Sequence, residues 1–156
     1  MTRRLREFLE HSRVPYEVLR ASEDAYTAQE VAARLHVSGN ELLKPVVLKA
    51  DGRLVLAVVP AARRVDVRKA AELVGAKQVS LAPEGEFTHL FEDCDAGAEP
   101  PFGDLYGVET LLDDHVLGQA QVAFMAGTHH EAVQMGRADY ERLARPKVGD
   151  LCQPWQ

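Results

Sequence analysis

No apolar run in this chain approaches the roughly 20 residues that a membrane span requires, and the basic start Met-Thr-Arg-Arg-Leu-Arg is not followed by the apolar stretch of a signal peptide. Both absences argue against a membrane or secreted protein, and a cytoplasmic location is expected. Cysteine is scarce: Cys94 and Cys152 stand far apart without C-x-x-C spacing, which suggests neither a disulfide framework nor a zinc knuckle. A basic excess is missing as well. The formal net charge of −6 argues against a general nucleic-acid binder and against DNA, and it leaves room only for a local basic patch. Neither G-x-G-x-x-G nor G-x-x-x-x-G-K-[ST] occurs, which argues against Rossmann and P-loop nucleotide binding. Internal repeats and low-complexity segments are absent too.

What is present fits one compact domain: 156 residues, 46% hydrophobic and 27% charged. Thr2 can cap a helix with Leu5, Phe8 and Leu9 at helical spacing, broken at Val14-Pro15. A strand Tyr16–Arg20 follows. Thr27-Ala-Gln-Glu30 reads as a capping box, and Ser38-Gly-Asn-Glu41 repeats the pattern in a short turn that ends at Lys44. Asp51-Gly52 joins Pro45–Ala50 to Arg53–Val59 as a two-residue hairpin, and their nearly continuous apolar runs predict strands covered on both faces at the centre of the sheet. Further on, Asp66 caps a helix that Gly75 ends, a strand Gln78–Leu81 follows, and a Pro83-initiated helix runs to Phe91. Residues 93–107 lack periodicity and read as an ordered loop. Strands Val108–Leu112, Gln121–Ala126 and Ala132–Met135, a helix Asp139–Arg145 and an irregular tail 146–156 complete the order. The predicted fold class is α/β of the α+β type: a single domain with a mixed, largely antiparallel central sheet or partial barrel, flanked by helices.

Three places could carry chemistry. Lys44 is either a solvated surface cation or an ammonium held at a pocket rim. Gly97 to Gly103 is either a rigid turn or a segment whose glycines present backbone N–H groups to an oxygen anion, held still by Pro100 and Pro101. His129-His130-Glu131 invites a metal, yet adjacent histidines on a strand point to opposite faces and no third ligand stands at a familiar spacing, so neither metal nor cofactor is expected. Cys94 as a nucleophile lacks a supporting signature, and an inert thiol is the simpler reading. Arg63, Arg64, Arg68 and Lys69 form the dense basic cluster after the N-terminus, either a solvated helix start or a phosphate-contacting patch.

The order of several motifs resembles the YbaK/EbsC-type aminoacyl-tRNA deacylases, related to the editing insertion domain of bacterial prolyl-tRNA synthetases. The resemblance covers roughly residues 1–145. It is carried by Thr27-Ala-Gln-Glu-Val-Ala-Ala33, Leu43-Lys44 before an apolar strand, Val58-Val-Pro-Ala-Ala-Arg-Arg-Val-Asp66, Gly97-Ala-Glu-Pro-Pro-Phe-Gly103 and Phe124-Met-Ala-Gly127. It implies metal-independent hydrolysis of the ester joining a wrong amino acid to the 3′ end of a tRNA, with water as nucleophile and no covalent intermediate. In that role Lys44 binds the terminal nucleotide or orients the ester, and N–H groups near Gly97 hold its carbonyl oxygen. Thr27, Glu30, Pro101, Phe102, Gly127, Thr128, His129 and His130 are the candidate substrate-binding residues. Arg63, Arg64, Arg68 and Lys69 become candidates for tRNA phosphates.

Editing is needed because one methylene distinguishes amino acids by only about 1–3 kcal/mol. The leading expectation is a free-standing deacylase acting in trans on aminoacyl-tRNA, which it either binds weakly or meets already on an aminoacyl-tRNA synthetase. The alternative is a non-catalytic module that binds an aminoacylated tRNA end or an amino-acid-like ligand.

Overall fold

The computed structural model describes residues 1–20, 32, 33 and 35–154. The first helix, α1, spans Arg3–Ser12, opened by the Thr2 hydroxyl, which accepts from the Leu5 N–H, and closed by Arg13 in the left-handed region ahead of Val14-Pro15. Its Leu5 and Leu9 are fully buried. Strand β1 covers Tyr16–Arg20. The proposed capping box at Thr27 and Glu30 lies outside the described residues.

The central hairpin forms as expected, from β2 (Leu43–Ala50) and β3 (Arg53–Pro60) in full antiparallel register from Leu43↔Pro60 to Ala50↔Arg53. Asp51 and Gly52 both take positive φ, 48° and 88°, as a type I′ turn requires. The Asp51 carboxylate also accepts from the Lys77 and Gln78 N–H groups, so the turn anchors the segment behind it. Only β3 is buried along most of its length; β2 is half-exposed at four successive positions, Lys44 to Val47, where β4 does not reach it. Lys44 therefore stands inside β2 rather than in the turn before it, and Pro45 sits where its missing N–H costs no ladder bond to β4.

Asp66 caps α2 (Val67–Val74), accepting from the Arg68 and Lys69 N–H groups, and Gly75 ends it at φ 76°. Strand β4 is Val79–Leu81. The helix expected to reach Phe91 stops early: α3 is Glu84–Phe87, followed by single turns closing at Leu90, Phe91 and Cys94. Gly85 inside it and Thr88-His89 after it are weak helix formers, which accounts for the break. A 3₁₀ turn Gly103–Tyr106 then leads into β5 (Glu109–Asp113), a second one Asp114–Gly118 into β6 (Gln121–Met125), and β7 is Glu131–Gly136. Helix α4 is Arg137–Ala144. The tail expected to be irregular contributes β8, Lys147–Gly149.

The domain is α+β, and its described residues form two sheets instead of one, with no closed barrel among them. Five strands run in the order β4-β2-β3-β5-β8, parallel at β3–β5 and β5–β8; three run β1-β7-β6, all antiparallel. The layers join through one parallel bridge, Leu42↔Ala123, with the Ala123 N–H donating to the Glu41 carbonyl at 2.9 Å. One face of the five-stranded sheet (Leu56, Val58, Leu112) packs on Phe102, Phe124 and Tyr140; the other (Val55, Ala57, Val59, Leu111) packs on Ala70 of α2 and on Leu151 and Cys152 of the tail. Among the described residues no helix is long and apolar enough to cross a membrane.

Candidate active site

The Gly97 loop and the turn between β6 and β7 are stitched to each other. The Asp95 N–H donates to the Gly127 carbonyl at 2.8 Å and the Gly127 N–H donates to the Ala98 carbonyl at 2.9 Å. His129 Nε2 donates to the Ala96 carbonyl at 2.8 Å, which fixes the proton on that nitrogen. His129 and His130 are thus not strand residues: they lie in the β6–β7 turn, where the His130 N–H reaches the Thr128 hydroxyl at 3.4 Å. Ala98 is fully buried among Leu42, Ala61, Ala123 and Met125, at the junction of the two sheets.

Positive φ is what makes this turn of chain possible. Gly97 sits at φ 85° and Gly127 at φ 94°. Among the described residues a Cβ on Gly97 would find only the His129 ring at 3.6 Å, whereas a Cβ on Gly127 would overlap the Thr2 methyl. Gly127 is therefore needed for packing as well as for backbone conformation, and Gly97, among the described residues, for backbone conformation.

Behind the loop, Pro101 and Phe102 are anchors. The fully buried Tyr140 hydroxyl donates to the Pro101 carbonyl at 2.7 Å. The Phe102 ring is 1% exposed and packs edge-on against Phe8, Phe124 and Tyr140 at 5.2–5.3 Å. A side chain so enclosed offers substrate its backbone and not its ring.

Glu99 was not singled out from sequence, and it occupies the centre of the loop. The residue is 9% exposed, and its carboxylate accepts from the Gly97 N–H at 3.2 Å. Burial pushes its pKa above the usual carboxylate range, against the pull of the Gly97 and Glu99 N–H groups. A carboxyl oxygen of the protein itself therefore already rests on the N–H that the sequence marked for an ester carbonyl. Nothing in the motif spacing could have shown that the x in G-x-x-x-P folds back on the glycine.

Lys44 belongs to a second cluster. Alternation along β2 puts it on the face of Val46 and Leu48, toward α2 and the tail, and its ammonium donates to the Arg63 carbonyl at 2.8 Å. Burial holds its pKa below the ordinary lysine value, with Cys152 opposing and Arg64 adding repulsion. Among the described residues Lys44 makes no hydrogen bond to the Gly97 loop; the two clusters share the sheet end, where Leu42 near Lys44 packs with Ala98. The basic patch divides. Arg63 donates to the Gln153 carbonyl at 3.0 Å, and Lys69 pairs with Asp150 at 2.7 Å and the Cys152 carbonyl at 2.8 Å, both holding the tail. Arg64 and Arg68 differ: neither side chain is buried, and Arg64 lies close enough to Lys44 to repel it.

Two further clusters gather polar groups, the first around Cys94, which the sequence reads as an inert thiol. Cys94 Sγ lies 3.3 Å from the Tyr106 hydroxyl and 3.5 Å from Asp93, with burial pushing the thiol up to about 12, the wrong direction for a nucleophile. Asp113, His115 and Cys152 bring ligand-type atoms within 4.8 Å of one another. The fully buried Asp113 carboxylate there is already committed, accepting from the Leu151 N–H at 2.9 Å and the His115 N–H at 3.2 Å, so it ties β5 to the tail.

Fold and site together define a small α+β domain in which a glycine-shaped loop rests its Gly97 N–H on a carboxyl oxygen of its own chain. The particular family follows from comparison. The pattern described as aminoacyl-tRNA editing domain matches residues 22–143, and the chain belongs to that family, whose description implies an aminoacyl-tRNA substrate. A proline–tRNA ligase of Bacillus mycoides (strain KBAB4) is 30% identical over 96 residues, 62% of this chain but 17% of the ligase. The chain therefore spans a small part of the curated relatives it matches. The solved structure of a candidate trans-editing enzyme for prolyl tRNA synthetase superposes with TM-score 0.85 at 25% identity, covering 97% of this chain and 96% of that one. A hypothetical protein, at TM-score 0.85 and 21% identity over 96% and 99% of the two chains, shares the fold.

Proposed function

We propose that this protein is a trans-editing hydrolase that deacylates mischarged aminoacyl-tRNA. The observation that carries this reading is the Gly97 N–H, held by the stitched loop and turn and resting against a carboxylate oxygen, because an N–H preorganised for an oxygen anion is what ester hydrolysis uses. Similarity to a candidate trans-editing enzyme over nearly the whole of both chains supports action in trans. In the reaction, the ester carbonyl oxygen takes the Gly97 N–H, water adds to the carbonyl carbon, the C–O bond to the tRNA breaks, and the proton passes to the released sugar oxygen. No metal or covalent enzyme intermediate takes part. Lys44, fixed by the Arg63 carbonyl, binds the terminal nucleotide. His129, fixed by Ala96, forms a wall of the amino-acid pocket.

The test follows ester loss from a panel of mischarged tRNAs, including alanyl- and cysteinyl-tRNA(Pro), with wild type and Lys44→Ala. Loss of one species, slowed at least about tenfold by the substitution, is expected, since a charged hydrogen bond is worth more than a kilocalorie. Bound tRNA whose ester half-life never changes would instead identify a non-catalytic module.

A further inference from the structure

Buried carboxylates are normally held by cations or several donors. Glu99 is not: among the described residues the hydrogen bond its carboxylate accepts comes from the Gly97 N–H, with a further pull from its own backbone. Among the described residues the charged or titratable groups near it are Glu84 of α3, which repels, His129 of the β6–β7 turn, which attracts, and Cys94, whose thiol it helps to push up. It thus sits as a buried carboxyl group with no cation paired to it among the described residues, directly beside the N–H assigned above to the ester carbonyl oxygen. In an aminoacyl ester the α-ammonium nitrogen is two bonds from that carbonyl carbon. A ligand whose carbonyl oxygen displaces Glu99 from Gly97 therefore brings a cation within reach of the displaced carboxylate.

We propose that Glu99 is a specificity-determining residue that pairs with the free α-ammonium group of the aminoacyl ester and selects it over N-acylated esters. The inference rests on the deacylase reading and deepens it. Acylation removes the charge and leaves the carboxylate buried without its cation, which is costlier than the loss of one neutral hydrogen bond. The same selection spares peptidyl esters, whose α-nitrogen is an amide.

The test has two arms, each run on wild type and Glu99→Gln, whose amide oxygen still accepts from Gly97. One measures hydrolysis of the best mischarged tRNA with and without N-acetylation. The other measures binding of 3′-(alanylamino)-3′-deoxyadenosine and its N-acetyl form by calorimetry. Wild type should prefer the free amine at least about tenfold, and Glu99→Gln should bring the two forms within about twofold by weakening the free form alone, in KM more than kcat. Affinity for the free amine should also fall as pH rises past about 8, where the α-ammonium deprotonates. Equal use of both forms by wild type, or a preference that survives Glu99→Gln, overturns the inference. The wild-type comparison decides even if the variant misfolds. Hydrolysis indifferent to acetylation sinks the Glu99 role and leaves the deacylase; Glu99-dependent binding without hydrolysis does the reverse. Failure to bind either analogue overturns both.

Discussion

Gly127 and Gly97 share a backbone conformation and differ in surroundings, so they separate packing from chemistry at single residues. Gly127→Ala combines positive-φ strain with overlap on Thr2, whose own N–H donates to the Ala126 carbonyl at 3.0 Å. A loss of about 2–4 kcal/mol is expected, read as a fall in the urea midpoint. Among the described residues Gly97→Ala meets only the His129 ring, so its expected cost is the strain of about 1–2 kcal/mol, while its effect on ester hydrolysis should be much larger. Equal stability of the two variants would contradict this account. The thiols give a second residue-scale prediction. Cys94 and Cys152 are both pushed up to about 12, chiefly by burial. An acid whose folded pKa is raised keeps its proton in the native state after the unfolded chain has lost it, so stability falls as pH rises from about 8.5 toward 12. A Cys94→Ser, Cys152→Ser double variant should show a flatter stability profile across that window. Cys94→Ser alone should leave hydrolysis unchanged, because the thiol is protonated at neutral pH and its partners are Tyr106 and Asp93.

Among the elements, β8 and the chain after it contribute most for their length. Leu151 and Cys152 are fully buried, the Leu151 N–H fills Asp113, and the Gln153 N–H donates to the Arg64 carbonyl at 2.9 Å. Leu151→Ala should cost about 2–5 kcal/mol, and removal of residues 147–156 should abolish the cooperative unfolding transition. A truncated chain that melts like the full one would show the tail to be dispensable. That tail is also where the sequence was least legible: three strand residues, Lys147-Val-Gly149, carry no period, and their parallel pairing with β5 depends on a partner distant in the chain, Leu111↔Lys147. The β2–β3 hairpin and α2 were legible because Asp51-Gly52, Asp66 and Gly75 act locally, through turn angles and caps. The Gly97 loop was legible as an ordered segment with special backbone angles but not in its details. Its glycine and prolines advertise backbone geometry, whereas the Glu99 fold-back and the hydrogen bonds with residues 127–129 arise only in three dimensions.

For the whole molecule, a net charge of −6 leaves tRNA phosphates few places to settle, and the structure narrows them further. Of the four cations in the basic patch, Arg63 and Lys69 hold the tail through Gln153, Asp150 and Cys152, whereas Arg64 and Arg68 lie at the surface. Neutralising a surface cation should act on the salt dependence of binding, and removing one that holds the tail should act on the fold. Arg64→Ala with Arg68→Ala should therefore reduce the slope of log affinity against log salt by roughly 1.4–1.8, which is about 0.7–0.9 for each phosphate no longer neutralised, with the thermal midpoint unchanged. Lys69→Ala should lower the midpoint through the loosened tail and leave the slope nearly as it was. Filter binding of a deacylated tRNA between low and moderate salt, alongside thermal melts, separates the two. If the double variant keeps the wild-type slope, the polyanion meets another surface, and Arg64 and Arg68 face only solvent.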